Sequence, residues 1–239
     1  MYYALLGLFM YAFILSIITK KSKLLSEILG IIILTFLTFM IGLRYGVGID
    51  YFSYEAGFNM RYDAFAYEPI YSFLMYFIKT QFDKFHYLTW ILIFLTNVFI
   101  YLGLKKRNVK REYLLLAILI YSSNVALIFM NAMRQGVAVA IFFYCSKFIE
   151  ERNFKKYLFF ILIGAGFHSS IILLLPLYFL KNINMSKTKY LVTVILSYIL
   201  VYTRVAQTIL NFFAYRIPML SKYYNHRYIF NDNIDILSL

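Results

Sequence analysis

The chain has 239 residues, of which 62% are hydrophobic, 21% aromatic and only 15% charged, with a mean hydropathy of +0.71 and a formal net charge of +13. Water-soluble domains are nearer half apolar and a quarter charged, so this composition excludes a soluble domain and reads as an integral membrane protein. The positive charge does not point to nucleic acid, because it gathers in short loops between apolar runs: Lys20, Lys21 and Lys23; Lys105, Lys106, Arg107, Lys110 and Arg111; Arg152, Lys155 and Lys156. Lysine and arginine in short loops mark the cytoplasmic side of a membrane.

In chain order, residues 2–19 form an apolar run followed by lysines. A cleaved signal would carry its basic residues first and end on a small-residue cleavage site, so this run is expected to be a retained span. Residues 28–43 then lead outward. The loop 44–68 carries two arginines against Asp50, Glu55, Asp63 and Glu68, four of the eleven acids, and is expected to be extracytoplasmic. It opens "RYGVGIDYFSY", where Gly46 and Gly48 permit a sharp turn. This is not a nucleotide motif, since it neither follows a strand nor opens a Rossmann unit. Glu68-Pro69 has the form of a helix start, with proline in the first turn and an acid at the positive dipole end. The apolar run at 70–78 is too short to cross, and even 64–78 would reach only about 22 Å at 1.5 Å per residue. It is expected to dip into or lie along the outer face, because a full crossing would place a strongly basic loop outside.

Residues 87–104 return inward, and 113–130 with 135–149 form a hairpin whose outward tip is "NAMRQG", residues 131–136. The return arm is about 22 Å of helix, short of a hydrocarbon core of about 30 Å. Arg134 should therefore sit slightly below the outer boundary. No acid lies within fifteen residues of it in either direction, Glu150 and Glu151 coming just beyond. An unpaired, desolvated guanidinium is costly, so Arg134 is expected to seek an external anion. Residues 157–180 read either as one tilted span or as a re-entrant hairpin with His168 at its tip, since "GAGFHSS" interrupts the run. Irregular backbone at depth is tolerated only where protein or water lines it. Residues 190–202 are a further span. The expected fold is all-α: a polytopic integral membrane protein of about 7–9 transmembrane or re-entrant helices in a single membrane domain, residues 1–239.

Cys145 lacks a partner for an intrachain disulfide, and His86, His168 and His226 are too far apart in sequence to suggest a metal pair, so no metal or cofactor is expected. Each polar interruption has a bland reading. Arg44 can snorkel from the end of its span, Glu68 can be a helix-start acid, Arg134 and Gln135 can reach headgroups, and His168 can pack while Ser169 and Ser170 bond back into the helix. Their coincidence favours more, because nearly all the polar interruptions outside the basic loops fall on one side of the membrane.

These residues carry a resemblance. "LRYGVGIDYFSY", "EPIY", "NAMRQGVAVAI" and "GFHSSIILL", in that order, resemble the EpsG family of bacterial polysaccharide polymerases, a Wzy-like group. The family pattern R-x-x-x-G-x-D-x-x-x-Y matches Arg44, Gly48, Asp50 and Tyr54. The next motif matches Glu68, Pro69 and Tyr71; R-Q-x-x-A matches Arg134, Gln135 and Ala138; and H-x-S-A matches His168 and Ser170, with Ile171 where the family has alanine. The resemblance spans residues from about 30 to 180 and implies a C-terminally short member, since the family usually continues through further spans.

It implies polymerisation of undecaprenyl-pyrophosphate-linked oligosaccharide repeat units into exopolysaccharide or capsule, at the outer face of a bacterial plasma membrane, by a glycosyltransferase-type reaction. Arg134 and Arg44 would hold the pyrophosphate. His168 would act as base, with Asp50 and Glu68 as alternatives. Gln135, Tyr51, Tyr54 and Ser169 would bind sugar hydroxyls. The implied partners are the lipid-linked oligosaccharide, membrane lipids and other polysaccharide-assembly proteins, with no nucleic acid. The alternative is a transporter or flippase, or a non-catalytic partner, for the same lipid-linked sugar. A flippase needs cationic access from both faces, whereas these polar groups collect on one.

Overall fold

Every regular element among the described residues is a helix in the computed structural model, which describes residues 23–60, 67–180 and 186–203 together with Gly7. The expected first span, 2–19, apart from Gly7, and residues 61–66 of the outer loop lie outside the described residues. In order the helices are α1 (Lys23–Gly42), α2 (Tyr51–Met60), α3 (Pro69–Gln81), α4 (Phe85–Lys106), α5 (Arg111–Ile120), a π turn (Tyr121–Val125), α6 (Ala126–Asn131), α7 (Met133–Cys145), α8 (Lys147–Glu150), α9 (Phe154–Ala165), a 3-10 turn (Ser169–Leu174), α10 (Leu177–Leu180) and α11 (Lys187–Tyr202). Among the described residues three stretches are long and apolar enough to cross a membrane: Leu24–Gly42, Phe85–Lys106 and Tyr113–Asn131. The fold is that of an all-α polytopic membrane protein.

The chain divides into two compact units, Met1–Asn182 and Ile183–Leu239. The second contributes α11, with exposed apolar side chains such as Leu191, Ile195 and Ile199. The first is held by more than apolar contact, which gives little net drive between helices in lipid; close packing and interhelical hydrogen bonds do that work. α4 sits at its centre, packed along α1 and most extensively along α7. The Thr89 hydroxyl of α4 donates to the Gly42 carbonyl that ends α1, and Asn97 Nδ2 donates to Leu34 O (3.2 Å) and Thr38 Oγ1 (2.7 Å). α1 and α4 are therefore antiparallel. The π turn in the third long segment adds a residue to its winding and carries the Tyr121 hydroxyl to Asn97 Oδ1, 2.6 Å away. In an apolar medium such interhelical bonds are worth about 0.6–2 kcal/mol each, and this network joins three helices.

α4 and α7 run parallel. Phe85 and Met133, at their starts, share one core cluster with Leu88, Leu92 and Val137. At their other ends Arg107 lies 5.0 Å over the Phe143 ring, 3.2 Å from Glu150, while Lys106 lies 3.3 Å from Glu151. The basic turns after α4 and after α8 thus meet at one end of the bundle.

α3 resolves the short apolar run. It starts beside α7's first turn, where Glu68 meets Arg134, and ends three residues before α4 begins. Both of its ends therefore lie at the same end of the bundle, and at 13 residues it is about 20 Å long. The segment 154–180 also returns on itself: Phe154 packs on Tyr178 with ring centroids 5.0 Å apart, and the Tyr157 hydroxyl donates to Leu174 O at 2.6 Å. The reversal falls at Gly166–Phe167–His168. One element is additional to the sequence reading, which left 44–68 as loop: α2 forms there because Tyr51 and Phe58, seven residues apart, present one apolar face to Phe85.

Candidate functional site

Four separated stretches converge at the end of the bundle opposite the basic turns. Glu68 precedes a proline, which drives it into extended backbone (φ −60, ψ 146) and sets α3's first turn. Its side chain makes no cap hydrogen bond to its own helix. The cap comes from elsewhere: the N–H groups of Ile70 and Tyr71 donate to the Gly166 carbonyl at 2.9 and 3.0 Å. So close is the approach that a Cβ on Gly166 would lie 2.4 Å from the Ile70 side chain. Glu68 is thus the acid at a helix start that the sequence suggested, but its carboxylate is turned elsewhere.

That carboxylate joins two motifs. Oε2 lies 2.7 Å from Arg134 Nη1, and Oε1 accepts from the Ser169 N–H at 3.1 Å and the Ser169 hydroxyl at 3.2 Å. His168 Nδ1 stands 3.6 Å from the same Oε1. The side chains are shielded but reachable, at 13% exposed for Glu68, 21% for Arg134 and 24% for His168. Burial by itself would raise the Glu68 carboxyl. Hydrogen bonds from Ser169 N–H and its own N–H, with the charge of Arg134 and that of His168 when it is protonated, outweigh that and hold it below the usual glutamate value.

Arg134 is enclosed on its other sides by tyrosines. Its guanidinium carbon lies 4.6 Å from the Tyr67 ring centre and 5.2 Å from that of Tyr71, and the Tyr54 hydroxyl is near enough to act on it electrostatically. Each cation–π contact is worth about 0.5–2 kcal/mol and favours the planar, weakly hydrated guanidinium over an ammonium. Arg134 Nε is buried with no hydrogen-bond partner among the described residues. The expectation of an internally unpaired Arg134 is corrected: its partner acid lies 66 residues away in sequence, so a search of neighbouring positions could not find it.

The other expected site residues are placed differently. Arg44 is 6% exposed and donates to the carbonyls of Ile41 (2.8 Å), Val47 (2.9 Å) and Met130 (2.6 Å), and it lies 5.7 Å over the Tyr51 ring. Desolvation pushes its pKa down to about 10, partly offset by Tyr51 and Tyr54. Three carbonyls thus take up the guanidinium, with no carboxylate paired to it among the described residues, and they fasten the loop after α1 to the end of α6. Tyr51 is buried between Tyr45, Phe52 and Phe85. Asp50 is exposed at the start of α2, and Gln135 is exposed in the first turn of α7. Of the nine residues singled out, Glu68, Arg134, His168, Ser169 and Tyr54 come together.

Several contributors were given no site role in the sequence reading, although Tyr71 lies in the second motif. Tyr67 and Tyr71 face the guanidinium, and Asn131 accepts from the Ile49 N–H at 2.9 Å. Gly48 sits at φ +111, where a Cβ would lie 2.7 Å from Asn131 Oδ1. The glycines of "GVGID" therefore serve the docking of that loop onto "NAMRQG". Spacing did offer one signal: Tyr67 and Tyr71 are four apart, bracketing Glu68-Pro69. Among the described residues no group of His, Cys, Asp or Glu could hold a metal ion, and Cys145 is buried and free.

No curated protein and no solved structure matches this chain. The EpsG family model matches residues 27–239, continuing through α11 well beyond the stretch of about 30–180 that carries the motifs. With Glu68, Arg134 and His168 of those motifs meeting at one carboxylate and the match covering most of its length, the chain belongs to the EpsG family.

Proposed function

We propose that this protein polymerises undecaprenyl-pyrophosphate-linked oligosaccharide repeat units into exopolysaccharide or capsule at the outer face of a bacterial plasma membrane, as a glycosyltransferase-type enzyme. Family membership supports a polysaccharide-polymerase-like role in exopolysaccharide biosynthesis and, broadly, a lipid-linked sugar as substrate. The observation that carries the finer reading is the single carboxylate of Glu68, which gathers Arg134 and His168–Ser169 into one partly exposed cluster.

The orientation follows from charge. The turns holding Lys105–Lys106–Arg107 and Arg152 belong on the cytoplasmic side, which puts loop 44–68 and tip 131–136 outside. α7 has 13 residues and is about 20 Å long, so its first turn lies beneath the outer boundary of a core of about 30 Å. In this position Arg134 faces outward from a shallow recess.

The reaction moves one glycosyl group. The acceptor hydroxyl oxygen forms a bond to the anomeric carbon of the growing chain, the bond from that carbon to the pyrophosphate oxygen breaks, and undecaprenyl pyrophosphate leaves with the electron pair. Arg134 holds the developing negative charge through N–H groups that Glu68 does not use. His168 takes the hydroxyl proton. Glu68 beside Nδ1 stabilises the imidazolium and leaves Nε2 as the basic nitrogen. Ser169, Tyr54 and Gln135 offer hydroxyl and amide groups to sugar. Arg44 and Tyr51 act at one remove by fixing the loop around Tyr54, and Asp50 at the head of α2 contacts sugar from the exposed side.

The test is a vesicle carrying the purified protein, with lipid-linked repeats supplied on the outside. Growth of polymer is expected, with loss of growth in His168→Asn. Disappearance of accessible lipid-linked repeat without chain growth overturns the reading in favour of transport.

A further inference from the structure

A second feature lies away from Glu68, on the face shared by α1 and α4. A cavity of about 220 Å³ runs between these helices, lined by Ile31, Thr35 and Phe39 on one side and Trp90, Phe94 and Val98 on the other. It extends along α4 as far as Leu102, so from Trp90 it is about 18 Å long at 1.5 Å per residue. Both walls belong to stretches of membrane-crossing length. Ile31, Phe39, Phe94 and Leu102 are 39–48% exposed, which makes the cavity an open groove rather than a sealed void.

The polar groups are distributed unevenly. On the floor, Thr38 and Asn97 are spent internally: Thr38 donates to Leu34 O, Asn97 donates to Leu34 O and Thr38, and Tyr121 donates to Asn97 Oδ1. The floor therefore has little to offer a polar guest. At the end nearest the close of α1, by contrast, Trp90 Nε1 is buried with no hydrogen-bond partner among the described residues. Its ring stacks on Phe94 with centroids 5.4 Å apart and planes 2° apart, which holds the indole in place. An unpartnered buried donor costs about 1–3 kcal/mol and calls for an acceptor.

The groove mouth is joined to the Arg134 cluster by direct contacts. Trp90 packs on Gly42, where an added Cβ would meet the Trp90 backbone at 2.7 Å. Two residues on, Arg44 touches Met130 O and Met133 Sδ, at 2.6 and 3.4 Å, and Met133 is the residue before Arg134. An amphiphile with a dry hydrocarbon chain and an oxygen-rich head at the outer end fits this arrangement.

We infer that the α1–α4 groove seats the first part of the polyisoprenoid chain of the lipid-linked sugar, with the head-proximal oxygen at Trp90 Nε1 and the pyrophosphate directed towards Arg134. This rests on the proposed polymerase reading for the identity of the lipid. The chain is longer than the groove, so its remainder extends into the bilayer.

The experiment uses the full-length protein in nanodiscs and a photoreactive undecaprenyl phosphate, with adducts mapped by mass spectrometry and polymerisation measured separately. Adducts are expected on Phe39, Phe94, Val98 and Leu102. Filling the groove with Thr35→Trp or Val98→Trp should lower their yield about ten-fold, equivalent to 1.4 kcal/mol, whereas Ile128→Trp, on an exposed face of α6, should leave it unchanged. Trp90→Phe keeps the ring and removes the donor, and should weaken probe retention several-fold. Equal labelling by a photoreactive phosphatidylglycerol overturns the inference, as does uniform labelling of exposed helix faces or cross-linking of the groove to residues 2–19 of the chain. Polymerisation without groove adducts sinks the groove alone. Groove adducts without polymerisation sink the polymerase reading and leave a polyisoprenoid site.

Discussion

The two ends of the bundle each carry an arginine–glutamate pair, and they differ in what surrounds them. Arg134 and Glu68 are 2.7 Å apart with side chains 21% and 13% exposed, between tyrosine rings and a serine that donates twice to the carboxylate. Arg107 and Glu150 are 3.2 Å apart with side chains 28% and 50% exposed, and Glu150 is shared with Lys147. Equal chemistry has unequal consequence. A screened pair with solvent on one side contributes little. A shielded pair is costly to break, because the survivor keeps its charge without its partner. The first kind suits a loop at a membrane face, and the second suits a group that must be held in one geometry until an anion arrives.

Breaking the shielded pair should have the largest effect. Glu68→Ala leaves Arg134 uncompensated and releases His168 and Ser169 together. Polymerisation should fall at least 100-fold, and unfolding free energy should drop by about 3 kcal/mol, the lower end for a buried pair because some solvent reaches it. The measurement is polymer yield alongside thermal unfolding in detergent. The double variant Glu68→Ala/Arg134→Ala should recover much of the stability and none of the activity. Recovery of activity would show the pair to be structural only.

Next in size is Arg134→Lys. It keeps the charge but gives up the planar fork and the stacking on Tyr67 and Tyr71, so activity should fall about 10- to 100-fold with unfolding nearly unchanged. Lysine serving as well as arginine would refute bidentate recognition. His168→Asn keeps the size and one hydrogen bond but cannot carry the proton, and a loss of about 100-fold is expected. Wild-type polymer output at equal protein abundance rules out the base assignment.

Smaller effects should appear in pH. The Glu68 carboxyl is held below its ordinary value of 4.5 in the folded protein. The folded state therefore binds this proton less readily than the unfolded state. The stabilisation is complete above that ordinary value and is lost as pH falls from it through the lower folded value. Thermal unfolding followed downward from pH 6 should show this acid-side loss, and Glu68→Gln should flatten it. At the opposite end, Glu150→Gln should change neither unfolding nor polymer yield measurably. A sizeable loss there would erase the contrast between the two ends.

Sequence alone determined a good deal of this molecule, and the reason is local. Long apolar runs such as 28–43, 87–104 and 113–130 are helices because backbone groups in lipid must be satisfied within the segment. Pro69 starts α3 because it fixes its own φ and the residue before it. Three of the four motifs supply the residues that meet at one carboxylate: Glu68, Arg134, and His168 with Ser169.

What tertiary structure alone decided is which of these polar groups face one another. Glu68 is the acid of a helix start, as its sequence suggested, but the Gly166 carbonyl takes up that helix's free N–H groups and the carboxylate faces α7 instead. Arg134 looked unpaired because its acid is 66 residues distant, and Arg44 looked available although three carbonyls enclose it. The return of 154–180, which left two readings open, is set by Tyr157 and Phe154 meeting Leu174 and Tyr178 across the turn. Periodicity reports the solvent around a segment. The partner of a buried charge depends on which segments lie side by side, and that is fixed by helix packing, to which the charge itself contributes only a small part of the energy.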